Sequence, residues 1–274
     1  MKILIIGLGI IGGSYARGLK KKGHTIYGVD KNENTLKYAM ENGFLSEAST
    51  DPKKFIHLAD LIVIGLYPKQ IIPFLEENHD LFRKGQIITD VCGIKGSICE
   101  NAALLSLPAS YVGSHPMAGR EKIGIEFADE KIFIGANFLI CPLSNTEAKA
   151  IEVVTQMAND LGFGNIHLIT PAHHDRMIAY TSQLTHAIAV SLVNSETAID
   201  VTSFIGDSYR DLTRIAMIND KLWSELFLDN KTFLIGEIDS FIDQLNLLKS
   251  ALISDNSEEL KKIFKKSKAR REVM

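Results

Sequence analysis

His115 heads the residues whose type and setting suit chemistry. It stands in Ser114-His115-Pro116-Met117-Ala118-Gly119, directly after the apolar run 111–113. Pro116 halts regular structure behind it, which predicts an imidazole exposed at a strand end. A neutral imidazole there accepts a proton or hydrogen bond from a substrate hydroxyl while hydride leaves the same carbon. The plainer reading is a loop histidine satisfied by backbone. Arg210 and Arg214 form a second centre in Arg210-Asp211-Leu212-Thr213-Arg214-Ile215-Ala216. Four residues apart, they share one face if the segment is helical, with Asp211 placed to hold one of them. The other is then free to grip a carboxylate bidentately, which suits a dianionic substrate; a surface or intersubunit ion pair is the alternative. Gln183, His186 and Ser114 complete the candidate substrate contacts, and Glu121 and Asp175 are candidates to pair with nearby arginines and fix closure between domains.

A hydride acceptor has its own signature at the start of the chain. The run Ile3, Leu4, Ile5, Ile6 lacks polar alternation, as in a strand buried on both faces of a parallel sheet. Gly7, Gly9 and Gly12 follow at G-x-G-x-x-G spacing: the first for the tight turn, the second for close approach of a pyrophosphate, the third for helix-on-strand packing. Leu8, Ile10 and Ile11 complete this loop, and a helix over 12–22 turns its N-terminus to the phosphate. A second strand over 25–29 ends at Asp30, whose carboxylate accepts from a ribose diol and repels a 2′-phosphate. That order favours NAD over NADP, with Lys31 acting against the preference. Leu66, Tyr67 and Pro68 leave the next buried strand, 60–65, at its carboxyl end. With Val91 in the polar loop 90–96 after the strand 86–89, they are expected to line the cofactor.

The elements around these residues divide the chain in two. Helices are expected over 33–42, 52–57, 70–82 and 146–161, and further strands over 111–113, 137–141 and 165–169. This gives an α/β Rossmann-type dinucleotide-binding domain over 1–169. From Thr170-Pro171, an N-cap and first-turn proline, the pattern is helical throughout. The first helix runs to about Ala198 and is apolar nearly all round, so it must be buried. About a hundred helical residues cannot easily wrap it alone, and an all-α substrate and dimerisation domain over 170–274 is expected, with further helices at 220–229, 231–253 and 258–270. The formal charge of −3 gives no reason to expect nucleic acid or an anionic membrane, and the basic cluster from Lys261 to Arg271 reads as a solvated helix face. Cys92, Cys99 and Cys141 are an odd set without metal-ligand pairing, pointing to reduced thiols in the cytoplasm and to no zinc site. No apolar run has the length of a membrane helix.

Five segments now fall in one order: Gly7 to Gly13; Asp90-Val91-Cys92-Gly93-Ile94-Lys95; Ser114 to Gly119; Ser182-Gln183-Leu184-Thr185-His186-Ala187; and Arg210 to Ala216 followed by Trp223. Together they resemble the prephenate dehydrogenase family over essentially the whole chain. The resemblance implies NAD-dependent oxidative decarboxylation of prephenate to 4-hydroxyphenylpyruvate, on the route to tyrosine, by a homodimer. It implies that His115 accepts a hydrogen bond from the ring hydroxyl, that Arg214 binds a substrate carboxylate, that His186 contacts the ring or side chain, and that Arg210 reaches the partner's site.

Two departures stand out. Many relatives carry a serine where this chain has Gly93, with Ser114 or a water as the available substitute; relatives often have histidine and proline where Gln183 and Thr185 stand here. Several relatives continue into a small regulatory domain that binds amino acids, which this sequence is expected to lack. Three rival readings remain. Arogenate dehydrogenase shares the fold and differs in substrate. A β-hydroxyacid-type dehydrogenase needs a lysine beside Asn194 on the first helix of the second domain, and none lies between Met177 and Ala198. A non-catalytic NAD-binding dimer leaves His115 and Arg214 unexplained.

Overall fold

A computed structural model describes residues 1–196 and 200–273. The first strand, β1 (Lys2–Ile6), is followed by α1 (Ile10–Lys21), β2 (Thr25–Val29), α2 (Glu33–Glu41), β3 (Glu47–Ser49), α3 (Lys53–Ile56), β4 (Leu61–Ile64), α4 (Pro68–Glu77) and β5 (Ile87–Asp90). Next come α5 (Gly96–Leu104), β6 (Ser110–Pro116), β7 (Asn137–Pro142), α6 (Ala148–Leu161) and β8 (Asn165–Leu168). The strands form one sheet in the order β3-β2-β1-β4-β5-β6-β7-β8. Pairing is parallel from β3 to β6; β7 then joins antiparallel to β6, and β8 runs parallel to β7. The six-strand part is the doubly wound arrangement, whose ligand crevice lies at the carboxyl ends of β1 and β4, where strand order reverses.

The absence of alternation in β1 has its expected cause. Ile3 and Ile5 point into one core with α1, α2 and α6, while Leu4 and Ile6 point into another with α4 and α5. All four are buried, each contributing about 1.5–3 kcal/mol of transfer free energy. β3 and α5 have no comparable pattern. β3 is a three-residue edge strand, Glu-Ala-Ser, with too few apolar residues to mark it. α5 opens on Gly96 with no cap from its own neighbours; its cap comes from Asp175, far along the chain. α4 starts at Pro68, two residues before the expected start, because a proline at N1 needs no N–H partner. Cys92, Cys99 and Cys141 are buried and unbridged, and burial pushes the thiols of Cys92 and Cys141 up to about 12, so they stay protonated and inert.

After Thr170 caps α7 (Pro171–Ile178) by accepting from the His173 N–H, the chain is helical. A π-helical turn, Ala179–Gln183, separates α7 from α8 (Leu184–Asn194), so the expected single α-helix is interrupted; its expected end at Ala198 lies outside the described residues. Then follow α9 (Asp207–Thr213), a 3-10 turn Arg214–Ala216, α10 (Asp220–Asp229), α11 (Lys231–Ile253) and α12 (Ser257–Glu272). Met177 and Tyr180 were expected to be buried and remain exposed in the single chain, as do Ile242 and Leu245 on α11. Leu226 of α10 is buried against the α4/α5 core, with Leu222 and Trp223 packed beside it, and so the helical part is seated on one face of the nucleotide-binding part. Among the described residues no helix is long and apolar enough to cross a membrane.

Candidate active site

The glycine loop has the geometry of a nucleotide cradle. Gly7 sits at φ +87°, in the left-handed region where glycine is favoured, and its N–H donates to Val29 O. A Cβ on Gly12 would lie 1.9 Å from Gly7 O, so only glycine lets α1 approach the turn. A Cβ on Gly9 would meet nothing within 4 Å, which leaves open space on the ligand side. Gly9 is the N-cap of α1, with no side-chain cap and no acidic residue in the first turn, so the N–H groups around Ile10 and Ile11 are left to an anion. Asp30 directly follows β2; its Oδ2 accepts from Leu8 N–H at 2.8 Å and its Oδ1 from Asn32 N–H at 2.9 Å, and each oxygen retains a lone pair for a ribose hydroxyl. Beyond β4, Leu66 packs against the core and the Tyr67 hydroxyl accepts from Asn219 Nδ2 at 3.0 Å, joining the loop to the start of α10. Val91 N–H donates to Ile64 O at the end of β4. These residues fit a dinucleotide.

His115 differs from its expected setting. β6 continues through Pro116, since pairing with β7 places His115 opposite Leu139 and Pro116 opposite Phe138 at the end of the ladder. The imidazole is half-buried inside the strand, and not exposed beyond it. Its Nδ1 lies 2.8 Å from Nε2 of His174, whose Nδ1 lies 2.6 Å from Asp175 Oδ1. The Asp175 carboxylate also accepts the N–H groups of Lys95 (2.8 Å) and Gly96 (2.7 Å) at the start of α5. It was a candidate partner for an arginine, but it serves instead as helix cap and histidine partner across the domain boundary. Burial, then the neighbouring His174 and the Lys95 ammonium, hold the His115 imidazole well below its ordinary 6.5, so it is neutral.

The loop facing His115 is shaped by a buried ion pair. Lys95 Nζ donates to Asp90 Oδ1 (2.5 Å), Cys92 O (2.8 Å) and Ile94 O (2.9 Å), with both charged side chains fully buried. Asp90 also accepts from the Tyr111 hydroxyl and from Cys92 N–H. Burial pushes the Lys95 ammonium down and Asp90 outweighs it, leaving the group above its ordinary value and charged. Gly93 is thereby carried to the imidazole: a Cβ there would lie 3.8 Å from His115 Nε2 and 3.4 Å from Leu226 Cδ2.

The remaining candidates divide. Arg214 reaches across the domain boundary to Glu121, as expected of Glu121, although Asp211 holds neither arginine. Arg210 pairs with Asp207 at the surface. His186 is half-buried, stacked on Trp223 with ring centroids 3.6 Å apart, and its Nδ1 donates to Ser182 O. Burial lowers its pKa, the Ser182 carbonyl and the Glu121 charge act against that, and the Arg214 charge adds to the drop. Two expected substrate contacts are committed elsewhere. The Gln183 amide is buried, donating to Leu226 O and accepting from Asn230 Nδ2. The Ser114 hydroxyl is fully buried, donating to Asp90 O and accepting from Thr89, so it does not stand in for the serine that Gly93 replaces. The sequence reading missed His174, Lys95 and Tyr111. The one local signal was the adjacent pair His174-Asp175 in the first turn of α7.

A glycine-loop nucleotide cradle, a half-buried neutral histidine joined to α7 and an Arg214–Glu121 pair linking the two parts of the chain fit a two-domain NAD-dependent dehydrogenase. Residues 15–166 match the nucleotide-binding domain of prephenate dehydrogenase and residues 170–266 its dimerization domain, so the chain belongs to the prephenate dehydrogenase family. It is 31% identical to prephenate dehydrogenase of Bacillus subtilis over 97% of this chain and 74% of that one. Cyclohexadienyl dehydrogenase of Zymomonas mobilis is 29% identical over 98% of this chain and 94% of its own length. Among solved structures, prephenate dehydrogenase from A. aeolicus in complex with hydroxyphenyl propionate and NAD+ superposes with a TM-score of 0.90 at 27% identity, covering 99% of this chain and 97% of that one. Synechocystis arogenate dehydrogenase gives 0.84 at 27%, covering 99% of each.

Proposed function

We propose that this NAD-dependent oxidoreductase converts prephenate to 4-hydroxyphenylpyruvate, as a cytoplasmic homodimer. The observation that carries the reading is the neutral imidazole of His115, whose Nε2 faces Gly93 at the carboxyl end of the sheet, between the nucleotide loop and the helical domain. The glycine loop and Asp30 would hold NAD, which would supply the hydride acceptor. His115 Nε2 accepts the hydrogen bond of the ring hydroxyl and takes its proton as the ring carbon becomes a carbonyl. As carbon dioxide leaves, the substrate's own C–C bonding pair aromatises the ring and turns the carbonyl oxygen into a phenolate, to which His115 returns its proton, so no second acid is needed.

Arg214 exchanges its Glu121 partner for a substrate carboxylate. His186, held against Trp223, contacts the ring or side chain beside it. Arg210, exposed on α9, is assigned to the partner's site. Replacing Arg214 with Ala removes one charge-assisted contact, about 1.5–3 kcal/mol, and raises KM for prephenate about 10- to 150-fold in a folded protein. An unchanged KM overturns that role.

The test of the whole reading is NADH formation with prephenate and arogenate offered separately. Turnover of prephenate well above arogenate is expected. Preference for arogenate moves the chain to the activity named for its Synechocystis neighbour. Turnover of neither, with NAD binding by calorimetry, leaves the nucleotide domain read correctly and the substrate domain not.

A further inference from the structure

We propose that His174 and Asp175 are positioning residues that hold the proton of neutral His115 on Nδ1 and so present Nε2 as a bare acceptor to the cleft. The assignment follows from donor and acceptor counting along the chain of contacts. The Asp175 carboxylate takes the backbone N–H groups of Lys95 and Gly96, so every neighbour it meets there is a donor and it acts as an acceptor. His174 Nδ1, 2.6 Å from Asp175 Oδ1, therefore carries a hydrogen. Burial keeps His174 below its ordinary pKa, with Asp175 acting against it, so the ring is neutral and its Nε2 has only a lone pair. A lone pair on His174 Nε2, 2.8 Å from His115 Nδ1, requires the hydrogen between them to belong to His115. His115 is neutral as well, so its second nitrogen is unprotonated.

That outcome is not the default for a histidine. A neutral imidazole free in water prefers the proton on Nε2, the tautomer that cannot accept from a hydroxyl in the cleft. The alternative tautomer needs an acceptor at Nδ1, and the domain boundary supplies one: His174 stands on α7, and β6 carries His115. Asp175 in turn is fixed by the start of α5, so the same carboxylate that caps this helix sets the orientation of His174. Once His115 has taken the hydroxyl proton, its Nδ1–H still points at a lone pair, and the carboxylate two bonds away stabilises the imidazolium without itself receiving a proton.

The tautomer assignment is independent of the substrate, while its catalytic consequence rests on the prephenate reading, and the two are separable. The first measurement is two-bond 15N–1H correlation of the histidine rings in the free, full-length protein. Eight histidines are present, and the His115 resonances are those absent from His115→Asn. Wild type is expected to show His115 protonated at Nδ1 and bare at Nε2; the reverse pattern overturns the proposal with no further variant needed. His174→Phe removes the acceptor: His115 is expected to change to the Nε2–H form and kcat to fall by about 10²- to 10⁴-fold, with KM for prephenate within a few-fold of wild type. His174→Gln keeps both an acceptor for His115 and a donor for Asp175, and is expected to retain the Nδ1–H form and regain most of kcat. Retention of the Nδ1–H form in folded His174→Phe, or a loss in folded His174→Gln as deep as in His174→Phe, overturns it. If neither prephenate nor arogenate is turned over, the nitrogen spectra still decide the tautomer.

Discussion

Replacing Lys95 with Met tests whether the buried ion pair sets the loop that faces His115. Both partners are fully buried, and the ammonium meets Asp90 Oδ1 at 2.5 Å and two backbone carbonyls of its own loop. Methionine is close in volume, so no large cavity opens; the cost is electrostatic. Removing one member of a buried pair leaves the other charge unpaired, which costs about 3–5 kcal/mol. Asp90 keeps the Tyr111 hydroxyl and the Cys92 N–H, which favours the lower part of that range. At about 2–4 °C per kcal/mol for a chain of this size, the melting temperature should fall by about 6–20 °C. Urea unfolding at fixed protomer concentration gives the free energy directly, because a dimer's stability depends on concentration. The companion variant Asp90→Asn/Lys95→Met removes the charge left behind while Asn still accepts from Cys92 N–H, and should recover at least about 2 kcal/mol of the loss as a coupling energy. A single substitution costing under about 1 kcal/mol, or a double variant equal to the sum of the singles, would refute the reasoning.

Four other perturbations follow from the structure. His115, His174 and His186 all sit below their ordinary 6.5 in the folded chain, so the unfolded chain binds more protons on acidification; stability is fully present above pH 6.5 and is lost as pH falls through the folded values, measured as urea midpoints against pH. The acid limb of kcat/KM should lie below pH 6.5 and vanish in His115→Asn, and a limb at or above 6.5 would remove His115 from the role of acceptor. Gly9→Ala meets open space, so it should melt within about 1 kcal/mol of wild type yet bind NAD more weakly by calorimetry, whereas Gly12→Ala strikes Gly7 O and should lose both stability and affinity. Ile235, Ile242, Leu245 and Leu252 form an exposed stripe on α11 at heptad spacing, and if the proposed dimer uses it, Ile242→Arg with Leu245→Arg should give a monomeric mass in light scattering where wild type is dimeric; a dimeric mass for both would put the contact elsewhere.

What the sequence makes legible here is whatever is decided within one supersecondary unit. β1, its glycines, α1, β2 and Asp30 occupy about thirty consecutive residues, and the strand has no polar position because both its faces meet helices; every term in that argument is local. The helical periodicity after Thr170 is legible for the same reason, cap included. The misreadings share the opposite cause. Gln183 looks like a cleft residue on an apolar helix until Asn230, on another helix, takes its amide. Pro116 reads as a strand terminator because a proline lacks the ladder donor, but as the last rung of the antiparallel pairing with β7 it costs the strand nothing inside the ladder. α5 shows no start signal because its cap is a carboxylate on α7.

His115 draws these threads together. Its place near the carboxyl end of a sheet strand is readable, yet its half-buried setting, its neutrality and the proposed location of its proton depend on His174, Asp175, Lys95 and Gly93, which come from both parts of the chain. A buried polar side chain needs its partners satisfied, and in a two-domain enzyme those partners come from whichever element topology brings near. The residues proposed to act on substrate are therefore easier to find in the sequence than those that position them. The Lys95 and His174 substitutions probe that second group directly: one changes the shape of the facing loop, the other the location of a single proton.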